Sequence, residues 1–166
     1  SKTIETELHK SRYCISIGGD HSITYPIIAA YHKFFPKINM VHFDAHPDLY
    51  ETFDDNHYSH ASPFARIMEN NLATSLTQFG IRTMNDHQKK QATRFNVNVI
   101  PINKSPRDVE LKFFEPVYIS IDLDGLDPAY APGVSHPEPG GLSTRDIINF
   151  ISISCLPLVL LGAFPC

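Results

Sequence analysis

Aspartate and histidine residues alternate at two places in the sequence, each directly after a run of apolar residues. The first segment contains Asp44, His46 and Asp48, and the second contains Asp122 and Asp124. In an extended segment, side chains two residues apart point the same way, so the three side chains of the first segment would crowd together. Crowded carboxylates repel one another, and a divalent cation makes their ionised form favourable. The two segments therefore predict a metal site.

Each segment also has a simpler interpretation. The Asp44 segment can be a solvated acidic loop after a strand, and Asp122 and Asp124 can belong to a turn, because Asp-Gly and Asp-Pro steps follow. His21, which follows two glycines, is by itself more typical of a hydrogen-bonded histidine near a helix start. As a set, however, two histidines and four aspartates suit Mn²⁺ better than a thiolate-bound zinc ion. Six ligands predict two ions, bridged by carboxylates, that activate water as a nucleophile.

The elements that must position these residues are short apolar segments alternating with helix-like stretches, which is typical of an α/β fold with a parallel sheet. The predicted strands span residues 13–17, 38–43, 76–81, 97–101 and 117–121, with 156–161 as a further candidate. In such sheets, ligands bind beyond the carboxyl ends of the strands. The predicted metal ligands follow the first, second and fifth strands, so they are expected to converge on one edge.

Three segments predict helix starts. Ser62 offers an N-cap followed by a proline at the first helical position, and Asn85 opens a polar stretch that reaches Phe95. Ser143 and Asp146 have the spacing of a capping box.

The composition excludes several classes of function. The 166 residues are 42% hydrophobic and 19% charged, as in one soluble globular domain. The net charge of -4, with scattered lysines and arginines, excludes a nucleic-acid partner. No apolar run approaches the roughly 20 residues that cross a bilayer, and the first residues lack a signal-peptide pattern, so a cytoplasmic protein is predicted. Three cysteines do not form a disulfide framework, and Cys14 and Cys155 are expected to pack in the core.

Three ordered segments carry a family resemblance. Residues 18–22, 42–48 and 120–128, which read GGDHS, HFDAHPD and SIDLDGLDP, resemble the signature segments of the arginase and agmatinase (ureohydrolase) family. The similarity continues through residues 58–69 and 131–142 and covers about residues 13–158. Within the family, the chain is most similar to the group that contains plant arginases and bacterial agmatinases.

The resemblance implies a three-layer α-β-α fold with a mainly parallel sheet, and hydrolysis of a guanidino group to urea and an amine. It also implies that Asp124 protonates the leaving amine, that His60 shuttles protons, and that Asp20 supports the site without binding metal. The protein is expected to be a homo-oligomer, a trimer or hexamer. One Mn²⁺ ion would be bound by His21, Asp44, Asp48 and Asp122, and the other by Asp44, His46, Asp122 and Asp124.

The substrate is expected to be agmatine, which would give putrescine and urea. In family members that take L-arginine, acidic side chains hold the α-ammonium group, whereas the matching positions here are the neutral Asn85 and Gln88. Asp86 lies close enough to leave this alignment open, so arginase and guanidinobutyrase remain alternatives. From other classes, a zinc amide hydrolase of the deacetylase type and a non-catalytic metal-binding or oligomerisation paralogue also stay open.

The resemblance further implies one incomplete ureohydrolase domain over residues 1–166. Family members have strands before the Gly18-Gly19 motif, and after residue 150 they continue into a strand that ends in an acidic segment, Asp-x-x-Glu-x-Asn-Pro. Here residues 159–166 form a divergent apolar tail without a carboxylate. The expectation is therefore metal uptake with low turnover.

Overall fold

The computed structural model describes residues 2–10, 14–153 and 159–164. Five helices and six strands alternate in this part of the chain, together with three one-turn 3-10 helices. The helices are α1 (Lys2–Lys10), α2 (Thr24–His32), α3 (Pro63–Glu69), α4 (Asp86–Arg94) and α5 (Thr144–Ile153). The strands are β1 (Ile15–Ile17), β2 (Asn39–Phe43), β3 (Ser75–Phe79), β4 (Asn98–Val99), β5 (Val117–Asp122) and β6 (Val159–Phe164). The 3-10 helices are His21–Ile23, Pro106–Asp108 and Leu123–Gly125.

The six strands form one sheet in the order β1-β6-β5-β2-β3-β4, and every pair of neighbours is parallel. Alternate side chains of β2 and β5 enter two separate apolar clusters, because successive residues of a strand face opposite sides of a sheet. Met40 and Tyr118 pack with α2 and α3 on one side. Val41 and Ile119 pack with α5 on the other. The layers are therefore α, β and α, as the family resemblance implies.

The strand predictions are confirmed in position and corrected in length. Predicted strand 97–101 is reduced to Asn98–Val99, because it lies at the edge of the sheet and pairs only with β3 among the described strands. The further candidate at 156–161 corresponds to Val159–Phe164, and residues 156–158 lie outside the described residues. Predicted strand 13–17 is described from residue 14 and is a strand at Ile15–Ile17.

The three predicted helix starts are confirmed, with one correction to a cap. Asn85 and Gln88 form a reciprocal capping box at the start of α4, and Ser143 and Asp146 exchange equivalent bonds at the start of α5. Ser62 precedes α3 but its hydroxyl does not cap it, because that hydroxyl lies 3.0 Å from the Ser59 hydroxyl instead. Proline at the first position begins this helix without a side-chain cap.

Two other expectations concern the surface and the cysteines. Within the described residues, no helix is long and apolar enough to cross a membrane. Cys14 is a free thiol that packs, partly buried, against the core, as expected, whereas Cys155 lies outside the described residues.

Candidate metal centre

The centre is built at the carboxyl ends of the two central strands. In the parallel register of β2 and β5, Phe43 lies opposite Ile121, so Asp44 and Asp122 are the next pair beyond it. Asp122 caps the following 3-10 helix by accepting a bond from the backbone N–H of Asp124, at 3.1 Å. This turn places Asp124 beside Asp122 at the same edge of the sheet.

His21 reaches this edge from β1, which is separated from β5 by β6. Gly18 and Gly19 have φ values of 134° and 52°, a region that favours glycine, and they turn the chain towards the centre. Asp20 then caps the 3-10 helix that begins at His21, with its carboxylate accepting bonds from the backbone N–H and the hydroxyl of Ser22. The turn leaves the His21 side chain 1% exposed.

The segment from Asp44 to Asp48 is not extended throughout. This corrects the expectation that its alternate side chains point the same way because the chain is extended. The chain bends at residues 45 and 46, and Asp48 has a φ of 49°, an uncommon conformation for a non-glycine residue. Asp44 Oδ1 accepts a bond of 2.6 Å from the backbone N–H of His46 and stabilises the bend. The side chains are brought together by these bends rather than by strand alternation.

Asp44 is the common neighbour of the imidazoles. Its Oδ2 lies 3.3 Å from His21 Nδ1 and 2.8 Å from His42 Nε2. Its Oδ1 lies 3.4 Å from His46 Nδ1. The arrangement brings three imidazole groups within reach of one carboxylate.

The remaining acidic side chains complete the cluster. His21 Nδ1 lies 2.9 Å from Asp48 Oδ2 and 3.5 Å from Asp122 Oδ2. His46 Nδ1 lies 3.1 Å from Asp124 Oδ2, while Asp124 Oδ1 accepts a bond of 3.1 Å from the backbone N–H of Ala45. The structure thus brings together all six residues that the sequence proposes as ligands: His21, Asp44, His46, Asp48, Asp122 and Asp124. Their binding of metal remains a prediction.

Burial and mutual charge shift the pKa values in the cluster. Burial opposes protonation of His21 and His46, but bonds to Asp44 and to Asp48 or Asp124 outweigh it and raise both pKa values to about 10. Burial, followed by the charge of Asp44, raises the pKa of Asp48 to about 7. Burial also raises the pKa of Asp124. Without a cation, Asp48 and Asp124 hold their protons more strongly than simple aspartates do. Burial would also raise the pKa of Asp44, but the neighbouring imidazoles outweigh burial and lower it.

His42 is a member of the cluster that the sequence analysis did not identify as a site residue. It is fully buried on β2, and burial lowers its pKa to about 4. Its Nδ1 lies 3.0 Å from Gln78 Nε2, which also donates to the carbonyl of Pro47 at 2.8 Å. A neutral His42 accepting from Gln78 carries its proton on Nε2 and donates it to Asp44. The sequence signal that could have identified His42 is its position two residues before Asp44.

Arg82 is a second residue that the sequence analysis did not place. Its guanidinium group donates to the backbone carbonyls of Gly80 at 2.9 Å, Asp124 at 2.8 Å and Leu126 at 3.2 Å. It also donates to the carbonyl of Glu138 through Nε, at 3.1 Å. Burial lowers its pKa, and the charge of Asp124 partly offsets that effect. Arg82 therefore ties the turn that carries Asp124 to the 135–141 loop.

A cavity of about 190 Å³ opens over the cluster. His60 lies in its wall with its ring centroid 5.5 Å from that of Phe53, and both residues also line a neighbouring cavity. The other wall contains Thr83, Gln88 and His136. His136 lies edge-on to His46 with ring centroids 6.2 Å apart, and no function was predicted for it.

Comparisons with known proteins agree on one family. The sequence model of the arginase family matches residues 1–161. Arginase 1, mitochondrial, of Arabidopsis thaliana is 50% identical over an alignment of 143 positions, and the match covers 81% of this chain and 42% of the relative. An N(1)-aminopropylagmatine ureohydrolase of Thermus thermophilus is 36% identical over an alignment of 150 positions, and the match covers 87% of this chain and 50% of the relative.

Solved structures give the same result. A triple mutant of the Trypanosoma brucei arginase-like protein, bound with Mn²⁺, has a TM-score of 0.86 and 30% sequence identity. The match covers 99% of this chain and 54% of that protein. The chain therefore spans about half the length of the proteins that it matches.

Proposed function

The chain belongs to the arginase family, and we propose on this basis that it hydrolyses a guanidino group to urea and an amine at a centre of two manganese ions. The observation that carries the proposal is the convergence of four aspartates and two histidines at the carboxyl ends of β1, β2 and β5. The cavity of about 190 Å³ above them would receive the guanidino compound.

The chemistry of the cluster fits a pair of divalent cations. In the part of the chain that the structure describes, the ion-pair partners of Asp44, Asp48 and Asp124 are histidines rather than lysines or arginines. The raised pKa of Asp48 reflects burial beside other carboxylates, which a cation would compensate. The T. brucei triple mutant, whose substitutions introduce two aspartates and one histidine, is bound with Mn²⁺, which supports the choice of manganese.

The proposed ligand sets are those that the family resemblance implies. His21, Asp44, Asp48 and Asp122 would hold one ion, and Asp44, His46, Asp122 and Asp124 the other. Ser120 Oγ lies 2.9 Å from Nε2 of His21, so a proton on Nε2 leaves Nδ1 unprotonated and turned towards the three aspartates. Such bonds to the second ring nitrogen fix the tautomer of metal-binding histidines.

When bound, the ions lower the pKa of water and neutralise charge that develops during attack on the guanidinium carbon. Asp124 is proposed to hold a proton and to deliver it to the leaving amine. Burial raises its pKa, and the Ala45 N–H and His46 fix both carboxylate oxygens. His60 lies in the exposed wall of the cavity, where it can exchange protons between solvent and the reacting groups.

We propose agmatine as the preferred substrate because the described wall beside α4 is neutral. Gln88 is 3% exposed and lines the cavity, and its side chain is held by the capping box with Asn85. The Asn85 side chain donates to the hydroxyl of Tyr50 at 2.6 Å. Asp86 is absent from the cavity lining, and its 89% exposed side chain pairs with Lys89 on the helix surface. This geometry offers no carboxylate from 85–88 to an α-ammonium group.

L-Arginine is the second candidate, because the A. thaliana relative at 50% identity is an arginase. Guanidinobutyrate is a third, weaker candidate. A comparison of kcat/KM for agmatine, L-arginine and guanidinobutyrate with Mn²⁺-loaded protein decides among them. A higher value for L-arginine would overturn the agmatine assignment and leave the ureohydrolase class intact.

The same experiment tests the class. Urea release from either agmatine or L-arginine supports a hydrolase, whereas tight Mn²⁺ binding without urea release from any guanidino compound would favour the non-catalytic paralogue. The cytoplasmic location and the trimeric or hexameric assembly remain predictions. Size-exclusion chromatography with light scattering measures the assembly directly.

A further inference from the structure

A single loop, residues 50–61, supplies one wall of the cavity and contacts α2, α3 and α4. Its two ends meet where the backbone N–H of Tyr50 donates to the carbonyl of Ala61, at 3.0 Å. Phe53 and Asn56 bond each other across its tip, and residues 54–58 are exposed. Four residues of this 50–61 loop line the cavity: Tyr50, Phe53, His60 and Ala61.

Beneath the loop lies Arg66, a residue of α3 with 5% exposure. Its Nη1 donates to the backbone carbonyl of Glu51 at 3.0 Å and lies 2.7 Å from Nδ1 of His57. Because an arginine remains protonated and cannot accept, Nη1 is the donor and His57 Nδ1 is the acceptor. One nitrogen atom therefore holds both limbs of the loop, at positions six residues apart.

The spacing of these two contacts determines which part of the loop they shape. Phe53 lies between Glu51 and His57 in the chain, and its ring packs against that of His60, with centroids 5.5 Å apart. A change in the separation of the two limbs would move Phe53 and, through the ring contact, His60. No contact of Arg66 reaches the metal cluster directly among the bonds described for it.

The other side of the guanidinium group points away from the loop. Its Nη2 pairs with Glu69 Oε2 at 2.8 Å, and Glu69 also pairs with Arg94 at 3.4 Å. Burying an ion pair is often no more stabilising than an apolar pair of similar shape. The bonds to the loop, which depend on a planar donor at a fixed place, give a reason for arginine that the stability of α3 does not.

We propose that Arg66 is a positioning residue that sets the shape of the 50–61 loop and so places Phe53 and His60 against the substrate. Its kinetic consequence rests on the proposed ureohydrolase function, whereas its effect on the loop does not. The two contacts of Arg66 with the loop, to Glu51 and His57, form a clamp. Loss of this clamp raises KM and lowers kcat/KM, while the metal cluster, which lies on other segments, keeps its affinity for Mn²⁺.

The test compares Arg66→Met, which keeps an unbranched apolar stem but is shorter and has no donors, with Glu69→Gln. The second variant removes the charge that pairs with Arg66 and Arg94 and leaves the contacts of Arg66 with the loop in place. Hydrogen exchange at the amides of Tyr50, Phe53 and Asn56 reports loop order independently of activity. Arg66→Met is expected to lose this protection and to lower kcat/KM roughly ten- to hundredfold, the factor that loss of a charged hydrogen bond implies. Glu69→Gln is expected to match the unmodified protein.

Two further variants keep the proposal falsifiable if Arg66→Met fails to fold. His57→Ala removes the acceptor and keeps Arg66. Like Arg66→Met, it is expected to lose exchange protection in the loop and to have a raised KM. Arg66→Lys keeps a charged donor but lacks the planar guanidinium group. Its loop protection and kcat/KM are expected to lie between those of Arg66→Met and the unmodified protein. Unchanged loop exchange in His57→Ala, or equal losses in Glu69→Gln, would overturn the proposal. So would a loss of Mn²⁺ affinity as large as the loss of kcat/KM.

If the unmodified protein releases no urea, the proposed function fails, and the exchange data alone decide whether Arg66 orders the loop. Exchange protection that is lost in Arg66→Met and His57→Ala but kept in Glu69→Gln would then support the clamp without its kinetic part.

Discussion

Replacing Asp44 by asparagine should abolish most Mn²⁺ binding while leaving the fold in place. The substitution preserves the shape of the side chain and removes its charge. In the structure, the Asp44 carboxylate contacts three imidazole groups, those of His21, His42 and His46, at distances between 2.8 and 3.4 Å. In the proposed ligand sets it also bridges both ions, so both are expected to be lost together.

The expected loss of Mn²⁺ affinity can be compared with the loss caused by replacing a residue that contacts a metal ligand but not the metal. Replacing a residue that supports a metal ligand lowers affinity by about ten- to hundredfold. His42 is such a residue, since its Nε2 donates to Asp44 Oδ2 at 2.8 Å. Loss of the bridging carboxylate itself should exceed that range, which means more than about 2.8 kcal/mol at roughly 1.4 kcal/mol for each factor of ten.

The assay is calorimetric titration of metal-free protein with Mn²⁺, supported by circular dichroism to confirm folding. Three variants are expected to rank in order of loss: Asp44→Asn, then His42→Gln, then Asp20→Asn. Asp20 caps the turn that begins at His21, and asparagine is an equally good cap, so this variant is the control. A folded Asp44→Asn protein that binds Mn²⁺ as well as His42→Gln would refute the bridging role.

Three other outcomes follow from the structure. Gly125→Ala should destabilise the fold by about 1–3 kcal/mol, because the new Cβ would lie 2.7 Å from the backbone N of Asp44, whereas Gly133→Ala meets nothing within 4 Å and should be neutral in thermal melts. The pKa values of His21 and His46, raised from 6.5 to about 10, give stability to the metal-free protein that is fully present below pH 6.5 and lost as the pH rises through 10. Mn²⁺ binding at neutral pH should therefore release a proton from each, which titration in buffers of different ionisation enthalpy detects.

The sheet and the proposed ligands were predictable because their signals are local. β2 and β5 are mainly apolar, and an aspartate directly follows β2 and ends β5, so the local sequence gives both the strand and the side chain at its end. Parallel pairing then brings Asp44 and Asp122 together without any knowledge of the loops.

Helix α2 was not predicted, and its composition explains why. Residues 24–32 read TYPIIAAYH, with aromatic and β-branched residues and a proline near the start, a composition that does not favour a helix. Five of its residues are buried, including Ile28 and Tyr31 at 0% exposure. Packing against β2, β5 and α3 stabilises this helix, and such contacts between distant segments are not visible in a local window of sequence.

The geometry of the Asp44–Asp48 segment shows a different limit. The prediction that its side chains converge was confirmed by the structure, but the extended geometry used to reach it was wrong, because Asp48 has a φ of 49°. A non-glycine residue adopts that conformation at a cost of order 1–3 kcal/mol when its surroundings require it. The surroundings here include His21, which approaches Asp48 from β1 to 2.9 Å.

Arg82 shows why the framework around the ligands could not be predicted. All the acceptors described for its guanidinium group are backbone carbonyls, on segments near residues 80, 124–126 and 138. Every residue type offers the same carbonyl, so no pairing of side-chain types in the sequence marks these contacts. A metal ligand is recognisable from its own side chain, whereas a residue that fixes the ligand through the backbone is recognisable only once the chain has folded. Sequence analysis can therefore identify the candidate ligands of a site, but not the residues that hold those ligands in place through the backbone.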